Sequence, residues 1–143
     1  MRIEDQIGDL ERIVGVALPS DYRSWLAAGD RSVPQPDFYW VVKGDWGSGI
    51  EILYGFEEPD DLRTTARDRH DSKVPADLLV IGDDGMAGTY LAIGLSGKRT
   101  GRMYFIDTVS TESGDLTPDS AIHEIGPSFA AWMRSLRASP DDD

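Results

Sequence analysis

The chain has 143 residues, no cysteine and a formal charge of −12, with 26 acidic against 14 basic side chains. Without cysteine there can be no disulfide or thiolate-bound metal, and the negative charge disfavours nucleic acid and anionic membranes as partners. No apolar run reaches the roughly 18 residues of a membrane-spanning helix, and residues 1–5 lack signal-peptide character. We therefore expect one cytoplasmic domain at residues 1–139 and a frayed acidic tail at 140–143.

Two helices are predicted at the start of the chain. The apolar residues of the first helix recur at the spacing of one helix face: Ile3, Ile7, Leu10 and Val14. Gly15 is expected to end this helix. A second helix is predicted to open after Pro19, with Ser20 or Asp21 as its N-cap, and to end at Gly29.

The middle of the chain alternates short apolar runs with glycine-rich turns. Strands are predicted at residues 38–42, 50–54, 78–82, 89–95 and 102–107, and one helix at 59–69. The glycine-rich residues 44–49 are expected to form the turn of a hairpin between the first two strands. A closing helix is predicted from its apolar face, made by Phe129, Trp132, Met133 and Leu136. Helices segregated from hairpin-connected strands indicate the α+β class.

Few residues are arranged for catalysis or metal binding. His70 and His123 lie far apart in sequence, show no metal-ligand spacing, and are interpreted as surface residues. Asp83-Asp84-Gly85 is interpreted chiefly as a turn, with a metal site and a charged interface contact as alternatives. The loop 82–88 carries two acids and no lysine, which argues against phosphate binding. The sequence thus predicts no catalytic, cofactor-binding or metal-binding residue.

Four segments, in this order, resemble the SMI1/KNR4-like (SUKH) superfamily over about residues 3–137. They are Glu11, Gly15, Leu18-Pro19 and Asp21-Tyr22; Leu53-Tyr54-Gly55-Phe56; residues 79–85 with Tyr90-Leu91 and 101–105; and Ser128-Phe129 with Trp132-Met133. The resemblance implies one α+β domain with a mixed, mostly antiparallel sheet. An N-terminal helix pair, a middle helix and a C-terminal helix are expected to flank that sheet.

The resemblance also implies a function by binding. Bacterial members are similar to immunity proteins that neutralise polymorphic toxins, many of them nucleases or deaminases, whereas fungal members are similar to regulatory interaction proteins. The first hypothesis is therefore a non-catalytic immunity protein with a toxin partner, possibly basic, and no cofactor. A regulatory or scaffold module without a toxin partner is the alternative. A third reading, an enzyme or metal-dependent binder using Asp83 and Asp84, predicts stabilisation by calcium or magnesium.

The candidate partner-binding surface collects acids and aromatics of predicted loops. Its residues are Asp45, Trp46, Tyr54, Glu57, Glu58, Asp60, Asp61, Asp83 and Asp84. Trp46 can either fold back on its own domain or act as an exposed anchor for a partner. Acidic side chains would attract and steer a basic protein.

Overall fold

The computed structural model describes residues 2–29, 33–68, 73–109, 111 and 115–140. The helices of these residues are α1 (Ile3–Val14), α2 (Ser20–Ala28), α3 (Leu62–Asp68) and α4 (Phe129–Ser135). The strands are β1 (Phe38–Val42), β2 (Trp46–Gly49), β3 (Ile52–Leu53), β4 (Leu78–Asp83), β5 (Thr89–Gly94), β6 (Met103–Asp107) and β7 (Ile122–Gly126). None of the helices in this part of the chain has the length and apolarity to cross a membrane. Apart from Pro140, the predicted tail lies outside the described residues.

The strands form two antiparallel sheets. Strands β3 to β7 pair in chain order in a five-stranded sheet, and β1 pairs with β2 in a separate two-stranded sheet. Helices α1 and α2 precede both sheets and α4 follows them, so the predicted α+β class is confirmed. Among the described residues every pair of named strands is antiparallel, and parallel pairing occurs only at isolated bridges.

The first two helices begin and end as predicted, but the second lacks the predicted side-chain cap. Gly15 and Gly29 have φ values of 80° and 76°, the left-handed conformation that suits glycine at a helix end. The prediction that Ser20 or Asp21 caps α2 is wrong, because Pro19 occupies the N-cap position and no side chain caps the helix. The Asp21 carboxylate instead accepts the Ala130 N–H in the first turn of α4 at 2.9 Å. This bond ties the N-terminal helix pair to the closing helix.

The predicted hairpin forms with a different second strand. Residues 46–49, predicted as turn, pair with β1, while Ile52 pairs with Asp83 in the five-stranded sheet. The two strands approach each other so closely that a Cβ atom on Gly47 would lie 2.6 Å from Phe38 Cζ. Glycine is therefore required here by packing inside a strand, and not by a turn.

Two further differences concern the middle helix and the last strand. Helix α3 begins at Leu62, so Asp60 and Asp61 precede it, and its predicted end at Arg69 lies outside the described residues. Strand β7 was not predicted, because its five residues include polar His123 and Glu124 on an edge of the sheet. The closing helix α4 is confirmed, and its first turn is capped by the Ser128 hydroxyl, which accepts the Ala131 N–H at 3.0 Å.

The five-stranded sheet has two unlike faces. The inner face packs against α1, α2, α4 and the β1–β2 hairpin through Leu53, Leu79, Ile81, Leu91, Ile93, Met103 and Phe105. Alternate residues turn to the outer face, where the buried cluster is small: Val74, Leu78, Ala92, Tyr104 and Ile106. The domain core therefore lies on the inner side, and the outer face is covered by much less apolar material.

Candidate protein-binding site

A cavity of about 510 Å³, here called the outer cavity, lies on the outer face of the sheet. Its lining combines the apolar side chains of Leu78 and Val80, the phenol rings of Tyr54 and Tyr90, and the carboxylates of Asp60 and Asp68. The volume falls in the range of roughly 300–1,000 Å³ that is typical of ligand pockets. Two residues of the predicted surface, Tyr54 and Asp60, thus line this cavity, together with residues of α3, β4 and β5 that were not part of that prediction.

Tyr54 connects this cavity to the β4–β5 turn. The side chain is buried, its hydroxyl donates to Asp83 Oδ2 at 2.7 Å, and its backbone N–H donates to the Ile81 carbonyl. Burial, and then the hydrogen bond to Asp83 and its negative charge, raise the pKa of Tyr54 far above the usual phenol value. Tyr54 therefore stays neutral, and its proton is committed to Asp83.

The pair Asp83 and Asp84 forms the predicted turn. Asp83 Oδ1 accepts the Gly85 N–H at 2.9 Å, Asp84 Oδ1 accepts the Met86 N–H at 3.1 Å, and Gly85 has a φ of 83°. Asp84 Oδ2 also accepts from the Ser48 hydroxyl at 2.9 Å, which ties the hairpin to the sheet. Both carboxylates are half-buried and already hydrogen-bonded within the domain.

Asp61 holds the start of α3 in place. It is 7% exposed, and its Oδ1 accepts the Arg63 N–H at 2.9 Å while its Oδ2 lies 2.9 Å from Arg63 Nη2. The Arg63 guanidinium also contacts Asp9 of α1 and lies 5.6 Å from the centre of the Phe56 ring. The hydrogen bond from Arg63 lowers the pKa of Asp61. Asp61 is thus buried in an internal ion pair, unlike its neighbour Asp60.

The exposed acids cluster around the short edge strand β3. A second cavity of about 220 Å³, here called the edge cavity, is lined by Ile52, Glu57, Glu58 and Asp60 among other residues. Asp60 lines both cavities and therefore stands between them. Glu57 and Glu58 are exposed, so this edge of the sheet presents negative charge to solvent.

Asp45 and Trp46 lie apart from this cluster, at the β1–β2 turn. The Trp46 ring is 40% exposed and meets Phe105 of β6 and His123 of β7 edge-on, at centroid distances of 5.5 and 5.9 Å. It therefore points toward β6 and β7, away from the β3 edge. His123 is half-buried beneath it, and His70 lies outside the described residues.

Of the ten described residues that line the outer cavity, the predicted surface included Tyr54 and Asp60 and missed the other eight, among them Thr65, Asp68 and Tyr90. Thr65 and Asp68 are three apart in α3, so they share one helix face. Tyr90 stands opposite Asp83 in the β4–β5 register. A combination of the helical and strand periodicities could have suggested these positions, although not the space between them.

The described residues contain no group of three or more histidine or acidic side chains placed to hold a metal ion. The outer cavity is lined by aromatic rings, aliphatic side chains, two carboxylates and the Lys73 side chain. Such a combination binds an amphipathic cation better than an anion.

The fold identifies the structural class of the protein, which is an α+β domain in which helices enclose one face of an antiparallel sheet. The chain belongs to the SMI1 / KNR4 family (SUKH-1), whose family model matches residues 4–135 and confirms the resemblance seen in the sequence. This family is known for immunity proteins and is generally non-catalytic. Neither the curated proteins nor the solved structures include a significant match to the chain.

Proposed function

We propose that this chain is a cytoplasmic immunity protein that binds and neutralises a cognate toxin domain without catalysing a reaction. One observation supports it most: an acid-lined pair of cavities at the β3 edge, in a chain of the SUKH-1 family. The net charge of −12 adds long-range attraction for a basic partner. A nuclease, whose own substrate is polyanionic, is a partner of that charge.

The proposed contact surface is narrower than the set of acids and aromatics collected from the sequence. Glu57, Glu58 and Asp60 are on the surface at the β3 edge and form its centre, with Tyr54 at the cavity wall. Asp61, Asp83 and Asp84 support this surface from within, since their carboxylates already accept hydrogen bonds from the domain. Asp45 and Trp46 belong to a separate part of the surface.

The test is rescue by co-expression. The C-terminal domain of a large protein encoded immediately upstream is expressed in bacteria with and without this chain. Survival only with the chain, together with a co-purifying complex, supports immunity. A toxic neighbour that is not neutralised, or the lack of a toxic neighbour, contradicts it and favours a regulatory or scaffold module.

A matched pair of double variants then locates the surface. Glu57→Gln/Asp60→Asn removes two charges at the β3 edge. Asp119→Asn/Glu124→Gln removes two exposed charges at and beside β7, the opposite edge, where Asp119 pairs with Arg99 and Glu124 with Arg102. We expect the first variant to slow association with the toxin and to flatten its salt dependence, and the second to change both much less. Equal effects of the two variants would contradict the placement of the surface.

A further inference from the structure

The outer cavity exists because the two faces of the sheet are covered unequally. On the inner face, apolar side chains fill the space between sheet and helices. On the outer face, Leu78 and Val80 of β4 line an open space beside α3. Leu78 is already buried by the domain, whereas Val80 is only half-buried, so Val80 can bury further apolar surface against a partner, which is favourable.

The charged residues at this cavity favour a cationic ligand over an anionic one. Asp60 and Asp68 line it directly, and Asp83 lies behind the Tyr54 hydroxyl. Among the described lining residues Lys73 supplies the positive charge, and its ammonium donates to the Thr111 carbonyl. The carboxylates outnumber this ammonium, so an anionic group would be repelled and a cationic one attracted.

The aromatic, acidic and aliphatic lining of the cavity favours the guanidinium of arginine over the ammonium of lysine. Tyr54 and Tyr90 both line the cavity, and the committed Tyr54 proton leaves its oxygen able to accept a further hydrogen bond. A guanidinium can stack on a phenol ring while donating to two carboxylates, which a compact ammonium does less well. The three methylenes of arginine suit the half-buried aliphatic side chain of Val80.

We propose that the outer cavity receives an arginine side chain of the protein partner, with Asp60 and Asp68 as its anionic partners and Val80 against its methylenes. This inference rests on the proposed function only in taking the partner to be a protein. The edge cavity shares Asp60, so the partner segment that carries the arginine runs past Glu57 along the β3 edge.

The test uses a small probe and needs no toxin. N-acetyl-L-arginine N-methylamide is titrated into the isotopically labelled full chain and followed by NMR. We expect saturable shifts at the amides of Leu78, Val80 and Tyr90, and little response to the uncharged norleucine analogue. No saturable shift, equal shifts with the norleucine analogue, or shifts scattered over the surface would overturn the proposal.

Two variants with opposite expected signs sharpen the result. Asp60→Asn/Asp68→Asn is expected to weaken arginine binding at least about tenfold, whereas the control Asp119→Asn/Glu124→Gln changes it less than about twofold. Lys73→Gln removes the cation at the cavity and is expected to strengthen binding. Thermal melts establish that each variant is folded. Unchanged binding in the acidic-site variant would also overturn the proposal.

The two proposals can fail separately. Rescue that survives Asp60→Asn/Asp68→Asn, with no arginine binding, leaves the immunity function standing and removes the cavity from it. Arginine binding without any rescue supports the cavity as a site for an arginine-bearing protein and overturns the toxin partner.

Discussion

The inner and outer faces of the five-stranded sheet are built from the same strands but are covered differently by the rest of the domain. Leu79 and Ile81 point inward into a core that α1, α2 and α4 enclose, whereas Leu78 and Val80 point outward and line a cavity. Alternation in the sequence marks residues of both faces as apolar. The difference teaches that apolarity alone does not decide which face holds the fold together, because this depends on what the rest of the chain places against it.

The largest expected effect is a loss of unfolding free energy, and it is seen by comparing substitutions at two neighbouring residues of β4. Leu79→Ala is expected to cost about 3 kcal/mol of unfolding free energy, since Leu79 is 1% exposed and its removal leaves a cavity in the core. Val80→Ala, on the half-buried cavity side, is expected to cost about 1 kcal/mol. Urea unfolding measures both. Equal losses would mean that the outer face contributes as much to stability as the inner one.

A substitution at Asp61 tests whether the stability of α3, which forms a wall of the outer cavity, depends on the ion pair between Asp61 and Arg63. Asp61→Ala is expected to cost about 2 kcal/mol, because it removes a helix-start acceptor and leaves Arg63 beside α1 with one carboxylate fewer. Asp60→Ala is the neighbouring control and is expected to cost less than about 0.5 kcal/mol. A loss at Asp60 as large as that at Asp61 would contradict the division between supporting and surface acids.

The same carboxylate predicts a pH dependence. Because Arg63 lowers the folded-state pKa of Asp61, its stabilising contribution is present above the unfolded value of about 3.9 and is lost as pH falls through the folded-state pKa. The stability difference between wild type and Asp61→Asn is therefore expected to shrink as pH is lowered below about 4. Chemical unfolding at several pH values measures this difference. If this stability difference grew as the pH is lowered, the fold would not be stabilising the ionised form of Asp61.

The smallest effect concerns the bond between hairpin and sheet. Ser48→Ala removes the donor to Asp84 and is expected to cost about 1 kcal/mol. Arginine binding in the outer cavity is expected to stay within about twofold of wild type, because Asp84 keeps its bonds to Met86 and Thr89. Calorimetry and the NMR titration check the two parts. A loss of arginine binding would show that the hairpin shapes the cavity.

The elements with strong periodicity could be predicted from the sequence. The stripe from Ile3 to Val14 and the runs that became β4, β5 and β6 lie within a residue or two of their expected bounds. Strand β2 could not be predicted, because Gly47 and Gly49 give it the composition of a turn. These residues form a strand because β1 packs closely against them, and this contact is a property of the tertiary structure.

The candidate site was harder to predict than the fold. Asp60 and Asp61 are adjacent and chemically identical, yet one faces two cavities and the other is buried against Arg63. What separates them is the position of Arg63 between α3 and α1, which no local pattern records. The outer cavity likewise results from the gap between α3 and the sheet. No residue pattern in the sequence indicates where such a gap will lie.

The bond from Asp21 to the Ala130 N–H has a consequence for how the protein is made. The Arg137 backbone also exchanges two hydrogen bonds with Phe38, each of 3.0 Å, so α2 and β1 are completed by residues about 100 positions later in the sequence. During synthesis, α2 and β1 gain these partners only after residues 130–137 have left the ribosome. A chain released before residue 130 would lack all three of these hydrogen bonds.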